Sequence, residues 1–261
     1  MRQSDTQTGN GLSLTRRQFA TAAGGVGLTA ILPQIASAMV PGHANVTIKS
    51  VDGNLDAFFV KPATGAHPAV LLWTDAKGLR PAFAQMATRL SERGYAVLCV
   101  SPRGASAMNT GQFTQLADVI AYSAFLDAQP GVDSGRKLAS VGYCEGGKMA
   151  TRAVSALQGR VAAVASFDGG NLATTSLHSP HAVGHAIDVN YLFGFAENHI
   201  ERDPRASHLV QKAMGAAQAS ARVEVYGGTA SGWYANDSAA WHPVQAERAW
   251  GDLVSLLDTS L

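Results

Sequence analysis

Cysteine is nearly absent: Cys99 and Cys144 are the only two in 261 residues, far too few for a disulfide framework. A bridge between them is not expected either. Cys99 lies inside the apolar run "YAVLCVS" and Cys144 at a turn tip beyond another such run, too far apart for disulfide geometry. Cys99 reads as a buried structural thiol. Charge is also sparse, with 15% charged residues, a net charge of +1 and no basic block outside the N-terminus. That distribution excludes the electrostatic footprint of a nucleic-acid binder. No internal repeat or low-complexity tract occurs. What is present, 46% hydrophobic residues in a chain of this length, is enough for one large domain with a substantial core.

The first forty residues stand apart. In "LTRRQFATAAGGVGLTAILPQIASA", Arg16 and Arg17 precede Phe19, a weakly apolar run and the small-x-small pattern Ala36-Ser37-Ala38. Glycine, threonine and Pro33 break the run too often for a membrane anchor. The segment resembles a twin-arginine export signal. This resemblance implies a signal peptide over 1–38 and a mature chain over 39–261. The precursor would be handled by the twin-arginine export machinery, and the mature protein would be periplasmic or secreted, with no stable membrane insertion.

Beyond the signal, "NVTIKSVDGNLDAFFVKP" reads as an antiparallel hairpin around Asp52-Gly53. Strands are then expected at Ala69–Trp73, Tyr95–Val100, Leu138–Gly142, Val161–Phe167, Val189–Phe195 and Arg222–Tyr226. Amphipathic helices are expected at Arg80–Arg93, Gln112–Ala128, Gly146–Leu157, Pro204–Ser220 and Pro243–Leu257. Short, continuously apolar strands alternating with helices predict an α/β fold with a mostly parallel central sheet covered on both faces. Gly94 is placed as the glycine that ends the first helix. Ligand chemistry in such sheets collects at the carboxyl ends of the strands.

One of those ends reads "SVGYCEGGKM". Gly142-Tyr143-Cys144-Glu145-Gly146 has the G-x-S-x-G pattern with cysteine for serine, between a strand and a helix. Its glycines allow a sharp turn that lifts the side chain above the sheet, and the helix dipole favours a thiolate there. Cys144 is therefore the candidate nucleophile. The oxyanion hole falls to the backbone N–H of Glu145 and a second N–H near Asp75 or Ala76.

Further segments join this one in order: "LLWTDAKGLRPAFAQMATRLSERGYAVL", "VAAVASFDGGNL", "SPH", "GFAEN" and "GWYANDSAAWHPVQAERAW". Together, over about residues 45–257, they resemble the dienelactone hydrolases. The resemblance implies an α/β-hydrolase fold that opens small lactones or esters with a cysteine nucleophile, a histidine base and an aspartate orienter, without a cofactor. Position by position it carries over Cys144 as nucleophile and Asp75 as a first-loop acid that contacts the thiol.

Two positions depart from the family pattern. Ser231 stands where the base histidine belongs, and His199 follows Ala196-Glu197-Asn198 where the aspartate belongs. Three readings stay open. His199 takes the thiol proton from a new position, oriented by Asp168 or Glu197; or Asp75 and the helix dipole hold enough thiolate without a base; or the chain binds a ligand in the old pocket without chemistry. Substrate contacts are expected from Arg103, Tyr143, Ser231 and Trp233. Core packing is the competing reading for the two aromatics and for Trp73. His178, His181 and His185, with Asp188, are spaced like metal ligands, but Pro180 and Gly184 interrupt them, and no metal site is assigned.

Overall fold

The hairpin comes first. β1 (His43–Ser50) and β2 (Gly53–Val60) pair antiparallel with Ser50 opposite Gly53, so Val51 and Asp52 form the turn. Gly53 has φ +110°, open to glycine and strained for other residues, which explains the residue type there. The structure, a computed structural model, describes residues 43–102, 112–170, 172 and 188–261.

The remaining strands are β3 (Ala69–Trp73), β4 (Ala96–Val100), β5 (Leu138–Tyr143), β6 (Val161–Phe167), β7 (Asn190–Ala196) and β8 (Ser220–Tyr226). They form one eight-stranded sheet in the order β1-β2-β4-β3-β5-β6-β7-β8, parallel from β4 onward. β2 joins β4 antiparallel. The expected mostly parallel sheet with an antiparallel hairpin is the observed one, and this is the α/β-hydrolase architecture.

The helices are α1 (Pro81–Glu92), α2 (Gln112–Asp127), α3 (Glu145–Leu157), α4 (Glu197–Arg202), α5 (Ala206–Ala216) and α6 (Pro243–Ser260). Alternate strand residues Leu71, Trp73, Leu98 and Val100 join Tyr122 of α2 and Met149 and Val154 of α3 in one cluster. Period-two alternation sends the intervening residues to the opposite face, where Phe83 of α1 meets Tyr143 edge-on at 5.5 Å. There α1 and α6 are pinned together by Arg89, which binds Glu247 through both guanidinium nitrogens and lies over the Trp250 ring. Gly94, at φ +96°, follows the last turn of α1 as expected, its N–H donating to the Ser91 carbonyl.

Element ends shift by a few residues from the sequence reading, and the clearest differences lie at α5 and α4. α5 ends at Ala216, because Gln218 turns to φ +54° and Ser220 already opens β8; the helix does not run to Ser220. Short α4 was not expected. It is a six-residue turn directly after β7, too brief for an amphipathic period to register, and it carries His199. No helix among the described residues is long and apolar enough to cross a membrane.

Candidate active site

The central strands set the site. β5, β6 and β7 are neighbours in register, with Tyr143 beside Phe167 and Phe167 beside Gly194. The residues that follow them, Cys144, Asp168 and His199, therefore emerge side by side on the carboxyl edge.

Cys144 sits on a strained turn. Its φ of 51° and ψ of −116° are unusual for a non-glycine residue, and such a conformation costs about 1–3 kcal/mol. The surroundings hold it: its N–H donates to the Phe167 carbonyl at 2.8 Å, and its carbonyl accepts from Gly147 N–H at 2.9 Å. The flanking glycines have no room for a side chain. A Cβ on Gly142 would lie 2.0 Å from the Gly146 carbonyl oxygen, and one on Gly146 would lie 2.2 Å from the Thr74 carbonyl oxygen. The sequence pattern is thus the imprint of a helix start pressed against two strands.

Asp168 holds His199. Its Oδ1 lies 2.9 Å from Nδ1 of the imidazole, with the carboxylate 2% and the imidazole 15% exposed. An ionised carboxylate only accepts, so this contact puts a proton on Nδ1; a neutral imidazole held in this way has its lone pair on Nε2, the tautomer a general base needs. Asp168 itself has φ +55°, a conformation aspartate tolerates better than most residues, and Ala196 N–H also donates to Oδ1. The His199 ring packs edge-on against Phe195 at 5.3 Å. Glu197, the other carboxylate considered from sequence, is engaged elsewhere, its Oε2 accepting from Gly228 N–H at 2.8 Å.

Asp75 follows β3, next to the elbow strand, and both its oxygens are taken. Oδ1 accepts from Arg80 Nη1 at 2.5 Å and from Lys77 N–H at 2.9 Å; Oδ2 accepts from Arg80 Nη2 at 2.7 Å and from the Tyr234 hydroxyl at 3.4 Å. Arg80 is held in turn by Asp237 at 2.7 Å. Neither Arg80 nor Tyr234 stood out in the sequence. An arginine just before Pro81, five residues past Asp75, was the available signal for the first; spacing offers none for the second.

The surroundings of the thiol on balance disfavour its thiolate. Burial, first of all, pushes the Cys144 thiol up; the Glu145 backbone N–H, hydrogen-bonded to it, pulls it down; and the negative charges of Glu145, Asp168 and Asp75 push it up again. Of the two supports the base-free reading calls on, the N–H at the helix start pulls the thiol down and Asp75 does not. Asp75 opposes ionisation.

The other expected site residues divide. Glu145 supplies the first N–H of the elbow helix, and its side chain bridges to Lys148 at 2.9 Å. Ala76 is exposed in the turn after Asp75. Ser231 ties the β8 loop to α4: its Oγ accepts from Arg202 Nη2 at 2.9 Å and its N–H donates to Asn198 Oδ1 at 3.1 Å. Tyr143 and Trp233, expected at the pocket, are buried in an aromatic core. Trp233 is 0% exposed against Tyr226 at 4.5 Å, and Tyr143 stacks on Phe167 at 5.1 Å. Trp73 is likewise core, its indole N–H donating to Ser140 Oγ at 3.1 Å. Arg103, His178, His181 and His185 lie outside the described residues. His242 caps α6, accepting from Gln245 N–H, and takes no part in the site.

A strand–turn–helix elbow bearing Cys144 at the end of β5 in an α/β-hydrolase sheet, with a carboxylate–imidazole pair after the next two strands, fits the layout of a hydrolase. The chain belongs to the dienelactone hydrolase family, whose model matches residues 55–261, and is a hydrolase. Among solved structures it is similar to a dienelactone hydrolase-like promiscuous phosphotriesterase from metagenomic libraries, with 18% identity and a TM-score of 0.67 over 84% of this chain and 99% of that one. An esterase of Pyrobaculum calidifontis matches with 17% identity and a TM-score of 0.67 over 94% of this chain and 92% of that one. Esterase 2 of Thermogutta terrifontis, phosphoramylated by tabun, matches with 18% identity and a TM-score of 0.62 over 83% and 95%. At these identities the likeness is one of fold. No curated protein matches the sequence.

Proposed function

We propose that this protein hydrolyses small carboxylic esters or lactones through Cys144, with His199 as base and Asp168 as its orienter. The observation that carries the reading is the 2.9 Å contact between His199 Nδ1 and Asp168, because it restores a base–acid pair where the family pattern in sequence is broken. The step requires His199 Nε2 within hydrogen-bond reach of the sulfur in the loaded complex, where catalytic contacts commonly tighten. Nε2 then takes the thiol proton while sulfur bonds to the carbonyl carbon and the carbonyl electron pair moves to oxygen. Glu145 and Ala76 N–H groups receive that oxyanion. Collapse expels the alkoxide, which takes the proton from His199, and a water activated by the same imidazole hydrolyses the thioester.

Alkylation of the thiol tests the assignment. Iodoacetamide is expected to abolish turnover of small aryl esters in step with labelling of Cys144. Because the thiol is pushed up, its thiolate fraction at neutral pH is below that of an ordinary cysteine, and the labelling rate should climb about tenfold per pH unit from pH 6 past the ordinary thiol range. Full turnover by the labelled protein contradicts the assignment. Rapid labelling already at pH 6 favours the thiolate-only reading.

We also propose that the protein acts outside the cytoplasm after twin-arginine export, on the strength of Arg16, Arg17 and the Ala36-Ser37-Ala38 pattern. Replacing both arginines by lysine should leave the precursor uncleaved in the cytoplasm. Unchanged export of that variant rejects the signal.

A further inference from the structure

Tyr234 reaches the site from far along the sheet edge. It belongs to the loop after β8, yet its hydroxyl meets Asp75, in the loop after β3, so the loop that carries it returns across the carboxyl edge past the strands that lie between them, β5, β6 and β7. The ring lies against Tyr143, the residue before the nucleophile, with centroids 4.7 Å apart, and against Trp233 at 6.0 Å. It is 6% exposed. A phenol fixed in this way has its ring against the residue before Cys144 and its oxygen at Asp75, the residue before Ala76. A substrate oxygen received by the Ala76 N–H as Cys144 attacks would lie on the side of the elbow that this hydroxyl faces.

Resting on the ester and lactone reading above, we propose that Tyr234 is a further catalytic residue, whose hydroxyl donates a third hydrogen bond to the oxyanion formed on attack by Cys144. At rest the phenol donates to Asp75 across a long 3.4 Å contact, weak enough to be exchanged. When it turns to the substrate oxygen, Asp75 keeps three donors, two from Arg80 and one from Lys77 N–H. Arg80 also balances the Asp75 charge that would otherwise oppose a second anion nearby. The phenol stays protonated throughout: burial first, and then the charges of Asp75 and Asp168, push it up, so it donates without transferring its proton. In the step itself the S–C bond forms, the thiol proton passes to His199, the carbonyl π pair moves to oxygen, and Tyr234 hydrogen-bonds to that oxygen.

Tyr234→Phe keeps the ring packing and removes only the donor. It is expected to lower kcat on small aryl esters about 100-fold, as loss of one oxyanion donor does elsewhere, with KM changed less than about threefold. Inhibition by a small alkyl trifluoromethyl ketone, which forms a tetrahedral adduct with the thiol, should weaken by the same factor as kcat/KM. A merely structural tyrosine would not move those two quantities together. A Tyr234→Phe enzyme with kcat within about twofold of wild type, or with unchanged ketone inhibition, overturns the proposal. If that happens while alkylation of Cys144 still abolishes turnover, the ester and lactone reading stands alone. A wild-type protein without turnover overturns both.

Discussion

Replacing His199 by alanine is expected to lower kcat/KM on small esters and lactones by about 10⁴-fold or more, the scale seen when one member of a related triad is removed. The imidazole is 15% exposed and α4 buries no residue fully, so the fold should survive the change. Ser231→Ala should cost only about twofold by comparison, an ordinary surface effect, because that serine braces a loop through Arg202 and Asn198 and offers no base. The comparison matters because Ser231 occupies the position where the family carries its histidine. If both variants keep wild-type activity, the proton goes elsewhere and the moved-base reading fails.

Asp168→Asn should have effects of opposite sign on two measurements. Hydrolysis is expected to fall by about 10⁴-fold, because the asparagine amide can leave His199 in the wrong tautomer and cannot stabilise its charged form. Labelling of Cys144 by iodoacetamide at neutral pH is expected to become faster, because Asp168 is one of the negative charges that push the thiol up. A misfolded variant would not combine near-complete loss of turnover with a more reactive, specifically labelled cysteine. Glu197→Gln is the control. Its carboxylate binds Gly228 N–H, which a glutamine carbonyl can still accept, so activity should stay near wild type.

How far the site was legible in the sequence depended on the range of the interactions that build it. The elbow was legible because its demands fall on adjacent positions of the chain: a side chain at Gly142 would strike the start of its own helix, one at Gly146 would strike Thr74 after β3, and one at Gly147 would strike Ser166 of β6, so glycine recurs in one short stretch. The sheet and hairpin were legible because continuous apolar runs and a glycine turn mark them residue by residue. The choice between Asp168 and Glu197 was not legible, since both lie within reach of His199 on paper. What decides is that β6 lies beside β7, and that Gly228 N–H draws Glu197 toward the loop after β8. Arg80 and Tyr234 escaped for a similar reason. Their significance comes from meeting at Asp75, and Tyr234 does so 159 residues away in sequence. Tyr143 and Trp233 were placed at the pocket because an aromatic in a loop or turn at the carboxyl edge can face either a ligand or the core, and here both rings pack into the aromatic core.

The most direct measurement of the central claim, that His199 takes the proton from Cys144, is a rapid-quench experiment on acylation alone. Wild-type protein and His199→Ala are each mixed with phenyl acetate, quenched on the millisecond-to-second scale, and the acyl group is located by peptide mass spectrometry. The account predicts an acetyl thioester on Cys144 of the wild-type protein that forms and then decays. It predicts no such adduct on His199→Ala over the same interval. Acetylation of Cys144 at the wild-type rate in His199→Ala, or an adduct on any other residue, would contradict it.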